Sequence, residues 1–454
     1  MPIQKDILNL EEFEVISCEQ QNEDYLFNVR PLNPTNICPS CGSVSSVNNG
    51  TYNRFVRDLN YFEYKVGIHI LGNRHKCKDC GVTFVDMFDC IETNAKITIR
   101  LRDKIRQDAM RRPFLQIAND YGLTVQTIKR VFMNFVAEEE EKRVLYSPEI
   151  LGIDEAHLNK VMRAVIVDVK ERKIIEMLEN RSKDRVIEYF TKLPNADRIK
   201  VVTMDMWRPY AEAVREALPY AHIVIDRFHV VKAANEALDT VRKRIVEQIK
   251  RDGTRINIKN LRYLLLTNFE DLSPNQSDEL DAILDKYPTL STAYTLKEGL
   301  RNLYFCDTAY EAEKLFESWC RELPNDLEEF QKIKRMVNNW HDEIFNYFRY
   351  RYTNGICESL NNIIKSIERI GRGYTYDVLR AKVMFTTSAT KPAKYSFRKP
   401  TSKKSGPPNG SYGFSMGGMI PDVTYKEYKE SKVLDCGTGV DMAELEEILN
   451  SGDF

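Results

Sequence analysis

The segment from Leu151 to Phe228 most constrains the fold, because strand-like and helix-like patterns follow one another there in a definite order. Three consecutive runs rich in Val and Ile come first: LGIDEAHL, VMRAVIVDV and KIIEMLE. The helical stretch KDRVIEYFTKL follows, then the apolar run KVVTMD, the helical stretch RPYAEAVREAL and a last apolar run, HIVIDRF. Three strands followed by helix, strand, helix and strand predict a multidomain α/β protein with a mixed sheet covered by helices.

Two of these apolar runs carry an aspartate where the run ends. Asp154 closes LGID at a point where we expect the chain to turn, and Asp205 closes VVTMD. If these strands are neighbours in the sheet, both carboxylates lie at one end of it. Two like charges so close are costly without a cation, and hard oxygen ligands select Mg²⁺ or Mn²⁺. Two such ions activate an attacking oxygen and stabilise a leaving one in phosphodiester chemistry.

A third carboxylate for such a site lies far downstream. In TNGICESLNNIIK, Asn-Gly indicates a turn and Glu358 falls in the first turn of a helix. Lys365 follows seven residues later on the same helical face, where it is a candidate contact to DNA phosphate. Asn361 and Asn362 flank that face as possible hydrogen-bond donors.

Each of these assignments has a plainer alternative. A single aspartate at a strand end is usually a cap or turn residue. Asp226, at the end of HIVID, competes with Asp205, but we expect it one strand further out and assign it a supporting role. Glu155 alternates to the opposite side of its strand from Asp154, which favours a structural or supporting role.

Four cysteines near the start of the chain have the spacing of a metal site. Cys38 and Cys41 form one CxxC pair, Cys77 and Cys80 form a second, and a glycine follows each pair. Four thiolates satisfy tetrahedral Zn²⁺, and the long loop between the pairs suits a zinc ribbon with β-hairpins. A redox CxxC or unpaired structural thiols are the alternatives, and two matched pairs make zinc the better interpretation.

The stretch FLQIANDYGLTVQTIKRVF, residues 114–132, fits a helix-turn-helix. Ala118 is small where two helices cross, Gly122 supplies the turn, and Thr124 caps the second helix. The face that this second helix offers to a DNA major groove comprises Gln126, Thr127, Lys129 and Arg130. From residue 96 to residue 130, nine Lys and Arg stand against three Asp, which favours phosphate contact. An ordinary helical hairpin is the alternative.

With these residues in view, the chain resembles bacterial insertion-sequence transposases of the ISL-three family. The matching stretches are LGIDEAHL, VVTMDMWRPY, HIVIDRFHVVKAANEALDTVR and TNGICESLNNIIKSIERIGRGY, together with the ribbon and the helix-turn-helix, and they span about residues 10–386. The resemblance implies a ribonuclease-H-like DDE core interrupted by a helical insertion. By that resemblance the triad is Asp154, Asp205 and Glu358, with Lys365 as the basic residue after the glutamate.

The resemblance leaves three features unexplained: the role of the family's DRFHV segment, the residues after Asp154, and the tail. In the DRFHV segment, His229 is either a DNA contact or a core residue, and we favour the core. The family usually has a second acidic or small residue and an aromatic after the first aspartate, whereas this chain reads Asp154-Glu-Ala-His. The tail beyond Thr386 is rich in Lys, Pro, Ser and Gly, is longer than the family pattern, and is expected to be flexible.

The expected regions follow the motifs in order along the chain. They are a zinc ribbon (1–92), a helix-turn-helix (95–136), the first part of the core (148–230), a helical insertion (231–350), the second part of the core with the Glu358 helix (351–386), and the tail (387–454).

Length and composition agree with this division. A chain of 454 residues suits two to four domains, and 43% hydrophobic with 29% charged residues is typical of a globular protein. No apolar run reaches a membrane-spanning length, and the acidic start MPIQKDILNLEEFEV lacks a signal core. We therefore expect a cytoplasmic, nucleoid-associated bacterial protein.

The expected function is cleavage at transposon ends, followed by transfer of the freed 3′-OH to target DNA. The expected partner is double-stranded DNA, bound as a homodimer or larger complex because transposition joins two ends. One alternative is a decayed or domesticated transposase that only binds DNA; another is a structure-selective nuclease on the same fold, which cuts without joining.

Overall fold

A computed structural model describes residues 8–22, 24–33, 37–92, 94–251, 260–371 and 373–389. The expected tail falls almost wholly outside these residues. Within them the chain separates into two compact units. The first unit comprises the stretch up to Tyr146, His157–Val161 and Asn362–Ala389, and the second comprises Ser147–Ala156 and Met162–Asn361.

A five-stranded sheet opens the first unit. Its strands are β1 (Phe13–Gln21), β2 (Asp24–Pro31), β3 (Ser46–Tyr61), β4 (Tyr64–Cys77) and β5 (Thr83–Val85). They lie in the order β1-β2-β4-β3, and β5 pairs with β4. The long β3–β4 hairpin spans most of the loop between the two cysteine pairs, as the sequence predicts for a ribbon.

Three helices follow in the first unit: α1 (Ile99–Arg111), α2 (Phe114–Tyr121) and α3 (Val125–Lys142). Local chemistry sets their ends. Thr98 caps α1 by accepting from the Leu101 N–H, and Thr124 caps α3 by accepting from the Thr127 N–H. Gly122 has a φ of 61°, a left-handed conformation that ends α2 and favours glycine. The acidic run Glu138–Glu141 forms the end of α3.

The second unit is built on another five-stranded sheet. Its strands are β6 (Ile150–Leu158), β7 (Val161–Asp168), β8 (Lys173–Met177), β9 (Val201–Met204) and β10 (His222–Ile225). The strand order is β10-β9-β6-β7-β8. β9 runs parallel to both β6 and β10, whereas β7 and β8 are antiparallel. This mixed sheet confirms the predicted order of three strands and then alternating helices and strands.

Helices α4 (Lys183–Thr191) and α5 (Arg208–Ala217) connect the strands, and α6 (Arg227–Arg251) leaves the end of β10. The helices that follow are α7 (Leu261–Leu266), α8 (Pro274–Lys286), α9 (Pro288–Asn302), α10 (Ala309–Glu322), α11 (Glu328–Asn339), α12 (His341–Phe345) and α13 (Tyr347–Tyr350). Their apolar faces form one core together with the sheet. Trp319, fully buried, donates from Nε1 to the Leu296 carbonyl over 2.9 Å.

Two further helices complete the described chain, α14 (Gly355–Gly371) and α15 (Tyr376–Ala389). Val378 and Ala381 of α15 share an apolar core with α1, α2 and α3. Among the described residues, no helix is long and apolar enough to cross a membrane.

One expectation about the sheet is wrong. The chain does not turn at Asp154, because β6 continues to Leu158. β9 is only four residues long and its pairing with β6 stops at Ile153, whereas the rest of β6 forms a hairpin with β7. Asp154 therefore lies where the neighbouring strand ends rather than where its own strand ends.

Candidate functional site

The four predicted cysteines come together in the first unit. Their sulfur atoms all lie within 4.8 Å of one another, with Cys38 Sγ 3.5 Å from Cys80 Sγ and Cys41 Sγ 3.6 Å from Cys77 Sγ. Gly42 and Gly81 each have a φ of 73°, which lets each CxxC knuckle turn tightly. A hydrogen bond from the Cys80 backbone lowers the pKa of Cys77 to about 6. Thiolates held this way fit a structural zinc ion.

The parallel strands of the second unit bring Asp154 and Asp205 to the same edge of the sheet. Ile153 of β6 is paired with Met204 of β9, and each aspartate is the next residue. Ile225 of β10 is paired with Met204 as well, so Asp226 follows at that edge one strand further out. The predicted strand order is therefore confirmed.

Burial and the nearby charge of Asp205 shift the pKa of Asp154. Desolvation, and then the charge of Asp205, raise the pKa of Asp154 to about 7. The hydrogen bond that Asp154 Oδ1 accepts from the Glu155 N–H over 2.7 Å lowers this pKa, and so does the charge of His229. Asp154 Oδ2 also accepts a hydrogen bond from Asn361 Nδ2 over 2.8 Å. Burial also raises the pKa of Asp226, whose Oδ1 accepts from the Phe228 N–H.

His229 is a partner of Asp205 that the sequence did not identify. Its Nε2 lies 2.8 Å from Asp205 Oδ1, and this contact raises the pKa of the imidazole, with the charges of Asp226 and Asp154 acting in the same direction. About a third of the side chain is exposed, so its preferred assignment as a core residue is wrong. The signal available in the sequence was its place one helical turn after Asp226 at the start of α6.

Glu155 forms an ion pair with Arg181, with Oε2 and Nη1 2.5 Å apart. The residue next to Asp154 thus has a charge partner of its own.

Two asparagines form hydrogen bonds between the start of α14, which carries Glu358, and the strands β6 and β9, which lead to Asp154 and Asp205. Asn354 is buried just before α14; its Nδ2 donates to the Ile153 carbonyl over 3.3 Å, and its Oδ1 accepts from Thr203 Oγ1 over 3.1 Å. Asn361, seven residues later, donates to Asp154 Oδ2 and to the Glu155 carbonyl. The sequence pointed to Asn361 only as a possible donor and gave no indication of Asn354.

Close packing between α14 and β6 accompanies these hydrogen bonds. A Cβ placed on Gly152 would lie 2.5 Å from Cys357 Sγ and 3.1 Å from Val169 Cγ2. Cys357 is fully buried. As long as Cys357 keeps its position, only glycine therefore fits at residue 152 of β6.

Glu358 lies in the first turn of α14, as predicted, with its side chain exposed. Among the described residues, only the cysteine cluster has three or more ligand atoms of His, Cys, Asp or Glu within 4.8 Å of one another. Asp154, Asp205 and Glu358 thus do not form so tight a group. Lys365 is half-buried further along α14.

The predicted DNA-reading face lies on the first turns of α3. Gln126 and Arg130 are exposed, whereas Thr127 and Lys129 are half-buried. Thr127 Oγ1 is 2.9 Å from Thr124 Oγ1, so this hydroxyl takes part in the cap of the helix.

The local positive charge is smaller than the sequence count indicates. Arg100, Arg102, Lys104, Arg106 and Arg112 each form an ion pair with an acidic side chain. Within the described residues, the other four cations of this stretch have no ion pair: Lys96, Arg111, Lys129 and Arg130.

Comparisons with known proteins agree with this arrangement. Residues 151–383, slightly more than half of the chain, match the DDE transposase model of the ISL-three family. The chain belongs to this family of insertion-sequence transposases. Residues 34–80 match the zinc-finger model of the transposases of IS204, IS1001, IS1096 and IS1165, which agrees with the cysteine cluster.

Individual transposases are similar over much of their length. The transposase for insertion sequence element IS1001 of Bordetella parapertussis is 29% identical over 374 residues, covering 80% of this chain and 91% of that protein. The transposase for insertion sequence element IS1557 of Mycobacterium tuberculosis is 29% identical over 276 residues, covering 53% of this chain and 61% of that protein. The matches thus agree with the predicted family.

Proposed function

We propose that the chain is an active DNA transposase that cuts the ends of an insertion sequence and joins the freed 3′-OH to target DNA. The observation that carries this proposal is that Asp154 and Asp205 directly follow the paired residues Ile153 and Met204 of two parallel strands, where burial and the charge of Asp205 raise the pKa of Asp154 to about 7. A protein keeps such a costly pair where a cation is to be bound. The alternative of a DNA-binding protein without catalysis gives no reason for it.

Asp154 and Asp205, with Glu358, would hold two divalent ions, Mg²⁺ or Mn²⁺, which supply an activated attacking oxygen and a stabilised leaving oxygen. The carboxylate oxygens of the two aspartates fit such ions in chemistry and charge. Glu358 adds a third carboxylate from the helix that Asn354 and Asn361 fasten to both aspartate strands. Lys365, two helical turns beyond Glu358, would contact DNA phosphate.

The proposed division of labour follows the chain. Residues 1–92, the zinc ribbon, and 95–136, a helix-turn-helix, would bind the terminal inverted repeats. Residues 148–230 and 351–386 would form a ribonuclease-H-like core, and 231–350 a helical insertion that shields it. Two or more copies would assemble on DNA, since transposition brings two ends together.

Cleavage of a duplex that carries the end of the element, with Mg²⁺ present, tests the catalytic assignment. Asp205→Asn is expected to abolish nicking while end binding stays intact. Asp197→Asn, which changes an exposed aspartate of the same unit, is the matched control and should cleave normally. Unchanged cleavage by Asp205→Asn would overturn the triad. Asp226→Asn should reduce cleavage less than Asp205→Asn does.

A strand-transfer assay with pre-cleaved ends separates the transposase from a nuclease on the same fold. The transposase joins a pre-cleaved 3′-OH to a second duplex, whereas a structure-selective nuclease leaves it unjoined. Failure of the wild-type protein both to cut and to join, with end binding retained, would instead support the alternative of an inactive DNA-binding protein.

DNA reading by α3 is tested by charge removal. Arg130→Ala, and Lys129→Ala beside it, should weaken end binding and reduce its dependence on salt concentration. Lys142→Ala is the matched control, because this lysine lies at the other end of α3 and pairs with Glu139. Equal losses for all three variants would contradict a specific reading face.

A further inference from the structure

Two exposed aromatic rings follow the carboxylate-bearing edge of the second sheet at equivalent positions. Trp207 is two residues beyond Asp205, where β9 gives way to α5, and Phe228 is two residues beyond Asp226, where β10 gives way to α6. Trp207 is 37% exposed and Phe228 is 45% exposed. Both rings therefore leave the sheet at the edge where Asp154 and Asp205 meet.

The Trp207 ring is held in place on one side. The guanidinium carbon of Arg181 lies 4.4 Å from the centre of the ring, and Arg181 is itself fixed by its ion pair with Glu155. The Trp207 N–H also donates to the Asp205 carbonyl over 2.7 Å, which ties its backbone to the aspartate. A ring fixed this way loses little freedom when a second flat group stacks on it.

Phe228 is positioned by the same group of polar residues. Its N–H donates to Asp226 Oδ1 over 3.2 Å. Its ring meets the His229 ring edge-on, with centroids 5.5 Å apart, and His229 in turn contacts Asp205. Each exposed ring thus contacts a side chain that is itself paired with an acidic residue of this edge: Arg181 with Glu155, and His229 with Asp205.

Packing alone does not account for this exposure. The other two tryptophans of the chain, Trp319 and Trp340, lie in the same unit and are only 1% and 8% exposed. The apolar core of the unit thus accommodates large rings fully, whereas Trp207 is left at a charged edge.

We propose that Trp207 and Phe228 are stacking positions for unpaired nucleobases next to the phosphodiester that is cut. The inference rests on the proposed function in taking DNA as the substrate. Aromatic rings stack on every base because every base has a flat face. The bases of an intact duplex are already stacked on one another, so these rings select DNA whose bases are unpaired or turned out beside the cleavage point.

Tryptophan fluorescence provides a direct test, because Trp207 is the one substantially exposed tryptophan of the three. The full-length protein is titrated with short oligodeoxythymidine, with a duplex containing a mismatched bubble, and with the same duplex fully paired. We expect the first two to quench the emission and the paired duplex to leave it nearly unchanged. Equal quenching by all three would overturn the proposal.

Variants separate stacking from a purely structural role. Trp207→Ala should lower the affinity for the bubble duplex about 5- to 100-fold, measured by anisotropy of labelled DNA, with paired-duplex affinity unchanged. Trp207→Phe should be intermediate. Phe228→Ala keeps the Trp207 signal and should weaken bubble binding as well. Tyr220→Ala, at an exposed tyrosine before β10, is the matched control and should bind as wild type.

The outcomes distinguish this inference from the proposed function. If the wild type cleaves element ends and Trp207→Ala binds bubble DNA as tightly as the wild type, the stacking proposal is wrong and the transposase assignment stands. If the wild type neither cleaves nor joins DNA but loses bubble binding in Trp207→Ala, the stacking site stands and the catalytic assignment is wrong.

Discussion

Asn361 Nδ2 donates a 2.8 Å hydrogen bond to Asp154 Oδ2 although the two residues are 207 positions apart in the chain. Asn361 is three residues beyond Glu358 on α14, and it also donates to the Glu155 carbonyl. The helix that carries the third carboxylate is therefore fastened directly to the strand that carries the first. We therefore propose Asn361 as a positioning residue for the proposed triad.

Asn361→Ala should reduce Mg²⁺-dependent end cleavage about 10- to 100-fold, because displacement of a reacting group by about 1 Å is enough for losses of that size. End binding should not change. Asn361→Asp should be at least as damaging, since it places another negative charge beside Asp154. The measurement is the single-turnover cleavage rate at saturating protein.

Asn362→Ala is the matched control for that experiment. Asn362 is the next residue on α14 and its side chain is exposed. Its variant should cleave at the wild-type rate. Equal losses of cleavage rate in both variants would mean that any substitution at this part of α14 is damaging. That result would contradict a positioning role specific to Asn361.

The raised pKa of Asp154 predicts a pH-dependent stability. A carboxyl whose pKa is about 7 in the folded protein, against 3.8 ordinarily, favours folding most below pH 4, and this contribution is lost as the pH rises through 7. Asp154→Asn stays neutral. In Mg²⁺-free buffer it should exceed the wild type by about 1–3 kcal/mol in free energy of unfolding at pH 8, with the difference shrinking towards pH 4.

Urea unfolding at a series of pH values measures this difference. Mg²⁺ added at pH 8 should stabilise the wild type and have little effect on Asp154→Asn, because the variant lacks a charged ligand. Asp197→Asn should follow the wild type at every pH. Parallel curves for wild type and Asp154→Asn would argue against the perturbed carboxyl.

The cysteine cluster predicts one zinc ion per chain. Cys77→Ser removes the ligand whose pKa is lowered to about 6 and should reduce the zinc content from about one ion to below about 0.2 per chain. Elemental analysis of purified protein gives the ratio. Cys18→Ser, at a half-buried cysteine outside the cluster, should retain its zinc.

Gly152→Ala should destabilise the second unit by about 1–3 kcal/mol, since the added Cβ would lie 2.5 Å from Cys357 Sγ. Removing that sulfur gives a direct check. In the double variant Gly152→Ala with Cys357→Ala, part of the loss should be recovered relative to the sum of the single variants. Strict additivity of the two free-energy changes would contradict the proposed contact.

Much of the fold followed from local patterns in the sequence. The paired CxxC spacing predicted the cysteine cluster, Gly122 and Thr124 marked the helix ends around residues 114–142, and the order of apolar runs predicted the sheet of Asp154 and Asp205. Such features depend on backbone periodicity and on turn and cap chemistry, which neighbouring residues determine. The expectation for the tail concerns residues outside the described chain.

Only the tertiary structure decided several other contacts between separate segments. It paired His229 with Asp205, joined Asn361 to Asp154, and extended β6 beyond the end of β9. It also showed that five of the nine cations around the predicted reading helix form ion pairs with acidic side chains. These contacts depend on how separate segments pack, and one residue's spacing along the chain carries no information about a partner 200 residues away.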